Sequence, residues 1–405
     1  MLRIGRVVAC ALGLLVPAAL LAQDAVPDRA GAADAAGARA VSDAARLYDT
    51  SLLHRIDIVL ADEDAGRIVY RATDRVRCTI TIDGITLKDV GVRQSGGVYH
   101  PYLPITAKPS LSLKFDEFTK GQRVYGLDKL ILKNELQDYS FVSEHLTYEI
   151  FRRAGLAAPM TAHARVSING LDSGIYLMRE PIDKAFLRRN FGGAFDEGNL
   201  YEIENTRDFV FDPSYPKLDH EGVDGRNRDD LMSFAAAVRS ATPDTVERDL
   251  APYLDIDRFA TFVAAEIATG HWDGVTGNNN NTYIYANPKD GRFVFLPWGA
   301  DQAFRLSTRR AFAGFGGNTG VGALGSTRSY LVRQLLGSRR FADRVAAEVE
   351  RIGREPVWNQ QALTDRLNAV ERILTTAEQE GRTGGDVNRF RAYRATLEAV
   401  IRSGG

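Results

Sequence analysis

Cysteine and net charge are the two things that this chain has least of. Its 405 residues include two cysteines, and 51 Lys and Arg against 52 Asp and Glu leave a formal net charge of −1. Two cysteines exclude a disulfide scaffold and the usual four-cysteine zinc site. A balanced charge gives no support to bulk attraction to nucleic acid or to an anionic membrane. Any chemistry must therefore use oxygen and nitrogen groups.

Long apolar runs are also scarce. One run covers residues 7–21, with Arg3 and Arg6 before it and small residues near Ala22 at its end. It has about 15 residues, fewer than the roughly 20 that a transmembrane helix needs. We therefore expect a signal peptide over residues 1–22 that exports the protein to the periplasm, the cell surface or the medium, with an uncleaved anchor as the alternative. Cleavage would leave Cys78 alone, and its alternating context predicts a half-buried strand thiol rather than a nucleophile.

The composition, 44% hydrophobic and 25% charged, is that of an ordinary globular protein. After a flexible linker over residues 23–50, alternating segments predict a β-rich N-terminal lobe over residues 51–180 with one helix over residues 139–154. Ser140 is the predicted N-cap of that helix and Gly155 its predicted stop. The predicted strands are 53–59, 76–82, 85–92, 110–115, 164–168 and 175–178, with turns at Asp83-Gly84 and Asn169-Gly170.

Helical spacing dominates residues 181–405, which we expect to form a second lobe. The predicted helices are 184–191, 229–240, 256–268, 329–336, 341–352 and 360–378, and two predicted strands, 282–286 and 292–296, interrupt them. The segment 307–327 is rich in Gly, Arg, Ser and Thr, and its lack of periodicity predicts a loop. The predicted fold class is α+β.

Asparagine and aspartate are concentrated in the loop between one predicted helix and the small hairpin. This loop reads His-Trp-Asp-Gly-Val-Thr-Gly-Asn-Asn-Asn-Asn over residues 271–281. Oxygen donors of this kind suit hard cations such as Mg²⁺. Asp273 and Asn278 lie five residues apart, so one loop could supply a base and a metal ligand. The alternative is an Asn-rich turn whose side chains only bond to the backbone.

A second acidic position, Asp301, follows the small hairpin. Because the hairpin reverses the chain, we expect Asp301 to lie near Asp273. Two carboxylates and an asparagine there could hold a divalent ion and leave one carboxylate as a base, which is what phosphoryl transfer requires. The alternative is that Asp301 only caps the following segment.

Basic partners for phosphate are predicted in the N-terminal lobe. Alternation over residues 110–115 places Lys114 on the polar face of a strand, and a pair with Glu144 on the following helix would hold an ammonium near phosphates. Lys108 is an alternative for the same role. Arg93 begins an Arg-Gln-Ser-Gly segment that could bind an anion. A Walker A motif is absent from the sequence, and one G-x-G-x-x-G match at 320–325 lacks the surrounding βαβ unit.

Read in order, these segments resemble the spore coat protein H (CotH) kinase-like family. The resemblance is densest over ILKNELQDYSFVSEHLTYEIFRR at 131–153 and continues through Gly-Asn-Leu-Tyr at 198–201, the Trp-Asp-Gly at 272–274 and Pro-Trp-Gly-Ala-Asp at 297–301. It implies an atypical bilobal protein-kinase-like fold, with a β-rich N-lobe containing one helix and a helical C-lobe. The implied activity is transfer of the ATP γ-phosphoryl group to Ser or Thr hydroxyls of a protein substrate, with Mg²⁺ or Mn²⁺.

The resemblance also implies residue roles. It makes Asp273 the catalytic aspartate, with Asn278 and Asp301 as metal ligands. The strand lysine matches Lys114, or Lys108 if the register slips, and the helix glutamate matches Glu144.

Two further segments are assigned by the same resemblance. The segment beginning at Arg93 matches a loop over the nucleotide, and residues 178–180, ending at Glu180, match a hinge whose backbone could meet adenine. Gly299 departs from the family pattern, because many relatives carry an aspartate there.

Two other functions remain open. One is a non-catalytic envelope or cell-surface protein that uses the same frame to bind a partner, which the Gly299 departure would fit. The other is a metal-dependent hydrolase of phosphate esters or sugars, because paired carboxylates serve that chemistry as well. A hydrolase would not need the Lys114–Glu144 pair.

Overall fold

The structure is a computed structural model that describes residues 44–70, 74–96, 103–193, 195–204, 206–220, 227–305, 327–381 and 386–404. The predicted signal peptide, most of the predicted linker and all but the last residue of the predicted loop 307–327 lie outside these ranges. Within them, every helix is too short or too polar to cross a bilayer.

The N-terminal part is a closed barrel of seven strands. The strands are β1 (Leu53–Leu60), β2 (Val76–Ile82), β3 (Ile85–Gln94), β4 (Leu111–Lys114), β5 (Lys129–Lys133), β6 (Thr161–Ile168) and β7 (Leu171–Arg179), in the spatial order β1-β2-β3-β4-β5-β7-β6. A parallel pair between β6 and β1 closes the ring, and the other neighbours are antiparallel. Alternating burial along β2 directs Cys78, Ile80 and Ile82 to the interior, as period-2 geometry requires.

Among the described residues, two α-helices lie between strands of the barrel: α1 (Asp62–Tyr70) between β1 and β2, and α2 (Ser143–Arg153) between β5 and β6. The C-terminal part contains a second sheet with the order β11-β10-β8-β9. Its strands are β8 (Leu200–Ile203), β9 (Lys217–His220), β10 (Thr282–Asn287) and β11 (Arg292–Pro297). The helices that the described residues of this part form are α3 (Lys184–Phe191), α4 (Asp229–Ser240), α5 (Val246–Leu250), α6 (Ile256–Thr269), α7 (Tyr330–Leu336), α8 (Arg339–Ile352), α9 (Gln360–Gln379) and α10 (Asp386–Ser403).

Helix α6 is the centre of the C-terminal core. The ring centroid of Phe259 on this helix lies 4.6 Å from that of Phe295 on β11. Phe262 makes an edge-to-face contact with Phe151 of α2, with the ring centroids 5.4 Å apart. The burial of each such side chain is worth about 1.5–3 kcal/mol. Helix α2 therefore joins the barrel to the C-terminal core, and the loop after α6 is anchored on well-packed structure.

The predicted α+β class is confirmed, and most predicted elements are found within a few residues. The closed barrel was not predicted, and strand β5 was missed. The N-cap assignment was wrong: α2 begins at Ser143, and the Asp138 carboxylate accepts the Ser143 N–H at 2.7 Å. Ser140 instead donates its hydroxyl to the same carboxylate at 2.5 Å. Burial of this carboxyl raises its pKa to about 6.

Candidate functional site

The Asn-rich loop is organised around the Asp273 carboxylate. Its Oδ1 accepts a hydrogen bond from the Asn278 side-chain amide at 2.6 Å, and its Oδ2 accepts from those of Asn281 at 2.7 Å and Asn280 at 3.3 Å. An ionised carboxylate has about four acceptor sites. Three amides leave room for one more donor, such as a hydroxyl. Each amide directs its N–H₂ group at Asp273, so its oxygen points elsewhere and can meet a cation.

Glu266 of α6 packs against this loop and bonds to its backbone. The side chain is fully buried, and its Oε2 accepts the Thr276 backbone N–H at 2.7 Å. Burial raises the pKa of Glu266 to about 8. Gly274 lies directly above, where a Cβ would overlap the Glu266 carboxylate. Sequence reasoning missed Glu266, although an acidic residue in the apolar run Ala-Ala-Glu-Ile-Ala was a visible signal.

The hairpin β10–β11 brings the Asp301 segment to this loop, as predicted. Thr282 pairs with Pro297, and just beyond that pair the Trp298 N–H donates to the Asn281 carbonyl at 3.0 Å. Asn281 therefore contacts both acidic segments. Gly299 has φ +49°, and a Cβ there would lie 2.6 Å from the Asn281 Oδ1. The space that an aspartate side chain would need at position 299 is taken by the Asn281 amide.

Lys133 at the end of β5 is the lysine that the structure places at the site. Its Nζ lies 3.6 Å from Asp301 Oδ2, and each side chain is 13% exposed. Glu144 is also close: burial opposes its ionisation, but the charges of Arg179 and Lys133 prevail and its pKa is lowered. The Glu144 Oε2 has no hydrogen-bond partner among the described residues. Lys133 is thus paired with Asp301, and its charge also acts on the buried Glu144 carboxylate.

The predicted Lys114–Glu144 pair is not formed. Lys114 Nζ lies 2.9 Å from Glu117. Lys114 stands opposite Lys129 in the sheet register, four residues from Lys133 along β5, which is about 13 Å at strand rise. The helix α2 glutamate meets the other end of that strand.

The alternative lysine is also elsewhere. Lys108 Nζ lies 4.0 Å from Asp386 of α10 and contacts the rings of Phe141 and Tyr176. Burial lowers the pKa of Lys108. Its partner is therefore the C-terminal helix, and the structure does not bring it to Glu144.

Arg93 and Glu180 have different surroundings. Arg93 stands on β3 opposite Ser112 of β4, in the body of the barrel wall. The Glu180 carboxylate binds the Arg189 guanidinium at 2.5 and 3.1 Å and also accepts the Met160 N–H, while the Glu180 N–H donates to the Met160 carbonyl. The side chain and N–H of Glu180 are therefore occupied within the protein, and the expected contact of the 178–180 backbone with adenine stays a prediction.

Buried polar atoms without a partner are concentrated at this site. The described residues contain thirteen such side-chain atoms. Eight of them belong to the Asn-rich loop, to Glu266 packed against it, or to the residues around Lys133 and Glu144. The eight are on Glu135 (two), Glu144, Arg179, Glu266, His271, Thr276 and Asn279. An unsatisfied buried polar group costs about 1–3 kcal/mol, so their concentration here fits a region that binds a polar ligand.

The donor atoms at this site are of a type that binds a divalent cation, but the described residues do not form a carboxylate cage for one. Among the described residues no three His, Cys, Asp or Glu side chains converge closely enough to hold a metal ion. Asp301 and the amide oxygens of Asn278 and Asn281 are oxygen donors of the type that Mg²⁺ and Mn²⁺ prefer. A cation at Asp301 would have to compete with the Lys133 ammonium.

Comparison with known proteins gives one family match and a small set of curated relatives. The family model described as CotH kinase protein matches residues 104–384. Similar curated proteins are the inner spore coat protein H of Bacillus subtilis, 22% identical over 193 residues, and invasin CotH2 of Rhizopus delemar, 25% identical over 189 residues. The aligned parts cover 45% and 44% of this chain and 52% and 32% of those two proteins. The chain thus aligns with about half or less of each of these relatives.

Proposed function

Because the chain belongs to the CotH kinase protein family, we propose that it is a metal-dependent kinase that transfers the γ-phosphoryl group of ATP to Ser or Thr hydroxyls of a protein. The barrel corresponds to the N-lobe and the α-helical part to the C-lobe of a protein-kinase-like fold. The observation that carries the proposal is the Lys133–Asp301 pair at 3.6 Å beside buried Glu144. A lysine, an acidic metal ligand and a helix glutamate in one cluster are the phosphate-binding parts of a kinase.

Each group has a role in the proposed reaction. Asp273 orients the acceptor hydroxyl and accepts its proton while the hydroxyl oxygen bonds to the γ-phosphorus and the bond from phosphorus to the β-phosphate oxygen breaks. Asp301 and Asn278 would hold Mg²⁺ or Mn²⁺, which would supply neutralisation of the phosphate charge. Lys133, rather than Lys114, contacts the phosphates. Catalysis is then mainly positioning and charge neutralisation.

The proposed place of action is outside the cytoplasm. The relatives are named for a spore coat and for invasion, and the sequence predicts an export signal over residues 1–22. An exported or surface kinase is consistent with both. The proposed partner is a protein with Ser or Thr acceptors, and nucleic acid is not expected as one.

The first test is thermal unfolding with ATP plus Mg²⁺ or Mn²⁺. A ligand at about 100 times its dissociation constant stabilises by roughly 2.7 kcal/mol, which gives a clear upward shift. We expect this metal-dependent shift in the wild type and in Lys114→Met, and its loss in Asp301→Ala and in Lys133→Met. A shift that Lys114→Met abolishes and Lys133→Met retains would overturn the assignment of Lys133. Transfer of labelled γ-phosphate to a Ser/Thr-containing protein then tests the reaction itself.

A non-catalytic binding protein is the second candidate. It is favoured by the missing carboxylate at Gly299 and by the lack of a three-carboxylate cluster in the described residues. No nucleotide-dependent shift with either metal, in folded protein, would favour this candidate over the kinase.

A further inference from the structure

Two cations, Arg179 and Lys133, act on the buried Glu144 carboxylate. We propose that Arg179 is a positioning residue that holds the Glu144 carboxylate and the Trp298 ring in a fixed relation and so leaves Lys133 to Asp301 and phosphate. The consequence for phosphate binding rests on the proposed kinase function. The structural coupling between Glu144 and Trp298 does not.

The first contact of Arg179 is an ion pair in the interior. Arg179 ends β7 and stands opposite Ile131 of β5 and Thr161 of β6. Its side chain is 4% exposed, and its Nη1 donates to Glu144 Oε1 at 2.6 Å. The same oxygen accepts the Tyr148 hydroxyl at 2.5 Å. Two donors thus occupy Oε1, while Oε2 has no hydrogen-bond partner among the described residues, and Lys133 acts on this carboxylate through its charge.

The second contact is with the metal-binding segment. The guanidinium carbon of Arg179 lies 3.5 Å from the centroid of the Trp298 ring, well inside the roughly 6 Å limit for a cation–π contact. Trp298 begins the Trp-Gly-Ala-Asp run that ends at Asp301, and its N–H is bonded to Asn281. One guanidinium therefore contacts helix α2 and the segment that carries the metal ligand.

Lysine could not make both contacts in this planar arrangement. A guanidinium is planar, so it can stack on an indole while an N–H in its plane donates to a carboxylate. An ammonium has no face to stack. Without Arg179, Glu144 would have Lys133 as its nearest cation, and the lysine would be drawn from Asp301 toward the glutamate. Removing the negative charge of Glu144 as well should remove that attraction.

Nucleotide-free protein labelled with 5-fluorotryptophan tests the coupling directly. The chain has three tryptophans, so ¹⁹F NMR gives three resonances that Trp→Phe variants assign. We expect Arg179→Lys and Glu144→Gln each to move the Trp298 resonance. Arg165→Lys is the matched control, because Arg165 is a buried arginine of β6 that pairs with Asp172 of β7 and with Glu380 at the end of α9. An unmoved Trp298 resonance in Glu144→Gln would overturn the coupling.

A double-mutant cycle on the affinity for Mg·ATP tests the consequence for Lys133. Arg179→Met should weaken binding at least tenfold, and Arg179→Met with Glu144→Gln should bind at least threefold more tightly than Arg179→Met alone. The double variant removes both partners of the Arg179–Glu144 ion pair, so neither charge is left buried and unpaired. Effects that simply multiply would show that Arg179 does not act through Glu144. If the wild type binds no Mg·ATP, the kinase proposal fails, and the ¹⁹F result still decides the coupling.

Discussion

Glu266→Gln is the change whose effect on stability is best defined by the structure. The carboxyl of Glu266 is fully buried under the Asn-rich loop, and its pKa is raised by that burial from an ordinary 4.5 to about 8. A glutamine keeps the carbonyl oxygen that accepts the Thr276 N–H but cannot ionise. The variant should therefore differ from the wild type mainly in how its stability depends on pH.

The sign of the effect follows from proton linkage. Below pH 4.5 the carboxyl is protonated in the folded and unfolded states, and its ionisation costs nothing. Between pH 4.5 and about 8 the unfolded chain releases the proton and the folded protein keeps it, so the free energy of unfolding falls by about 1.4 kcal/mol per pH unit. Above that range both states are ionised and the loss levels off, at an upper limit of about 5 kcal/mol. Relaxation and partial solvation reduce this to roughly 2–4 kcal/mol.

Urea unfolding at several pH values measures the effect. Relative to the wild type, Glu266→Gln should gain about 2–4 kcal/mol between pH 5 and pH 8.5. Glu371→Gln is a control of opposite sign, because a hydrogen bond from Arg391 chiefly lowers the pKa of Glu371. At neutral pH that variant should be less stable than the wild type by less than about 1 kcal/mol. The difference should disappear as the pH falls through the acid range, because the wild type then loses the contribution of this carboxylate. A pH-independent difference for Glu266→Gln would refute the assignment of a buried, protonated carboxyl.

Three further changes test the packing around the site and the core, each by denaturant unfolding. Gly299→Ala should cost about 1–3 kcal/mol because of positive φ and contact with Asn281, and an Asn281→Ala background should recover only the contact part. Gly274→Ala should destabilise the protein more at pH 9 than at pH 6, because its Cβ meets the Glu266 carboxylate, and an equal cost at both pH values would contradict this. Phe259→Ala should cost about 3–5 kcal/mol, and a loss below about 1 kcal/mol would contradict its central place in the core.

Local signals in the sequence were enough to predict the regular parts of the fold. Strand β2 occupies Val76–Ile82 as predicted, because its alternating pattern matches a strand with one buried face. The turn that follows has positive φ at Asp83 and Gly84, at 48° and 86°, which is the backbone conformation that Asp-Gly favours in a hairpin. Helices α3 and α4 also have the predicted bounds. In each case neighbouring residues alone determine the result.

Contacts between distant parts of the chain could not be predicted in this way. The barrel closes through a parallel pair in which Leu53 of β1 meets His163 of β6, and no local pattern signals such a partner. Strand β5 was missed because Leu130, Ile131 and Leu132 are all buried. A strand covered on both faces has no period-2 alternation. The site lysine was therefore missed together with its strand.

The choice between Lys114 and Lys133 shows where the limit lies. The pattern of β4 placed Lys114 on the polar face and outside the apolar core, and the structure agrees that it is partly exposed and paired with Glu117. Its distance from Glu144 depends instead on which end of the barrel helix α2 approaches. That end is marked by Arg179 and Lys133, which are joined to Glu144 by a hydrogen bond and by charge. The side chains that surround Glu144 are thus a better guide to the lysine proposed to bind phosphate than the alternation of any one strand.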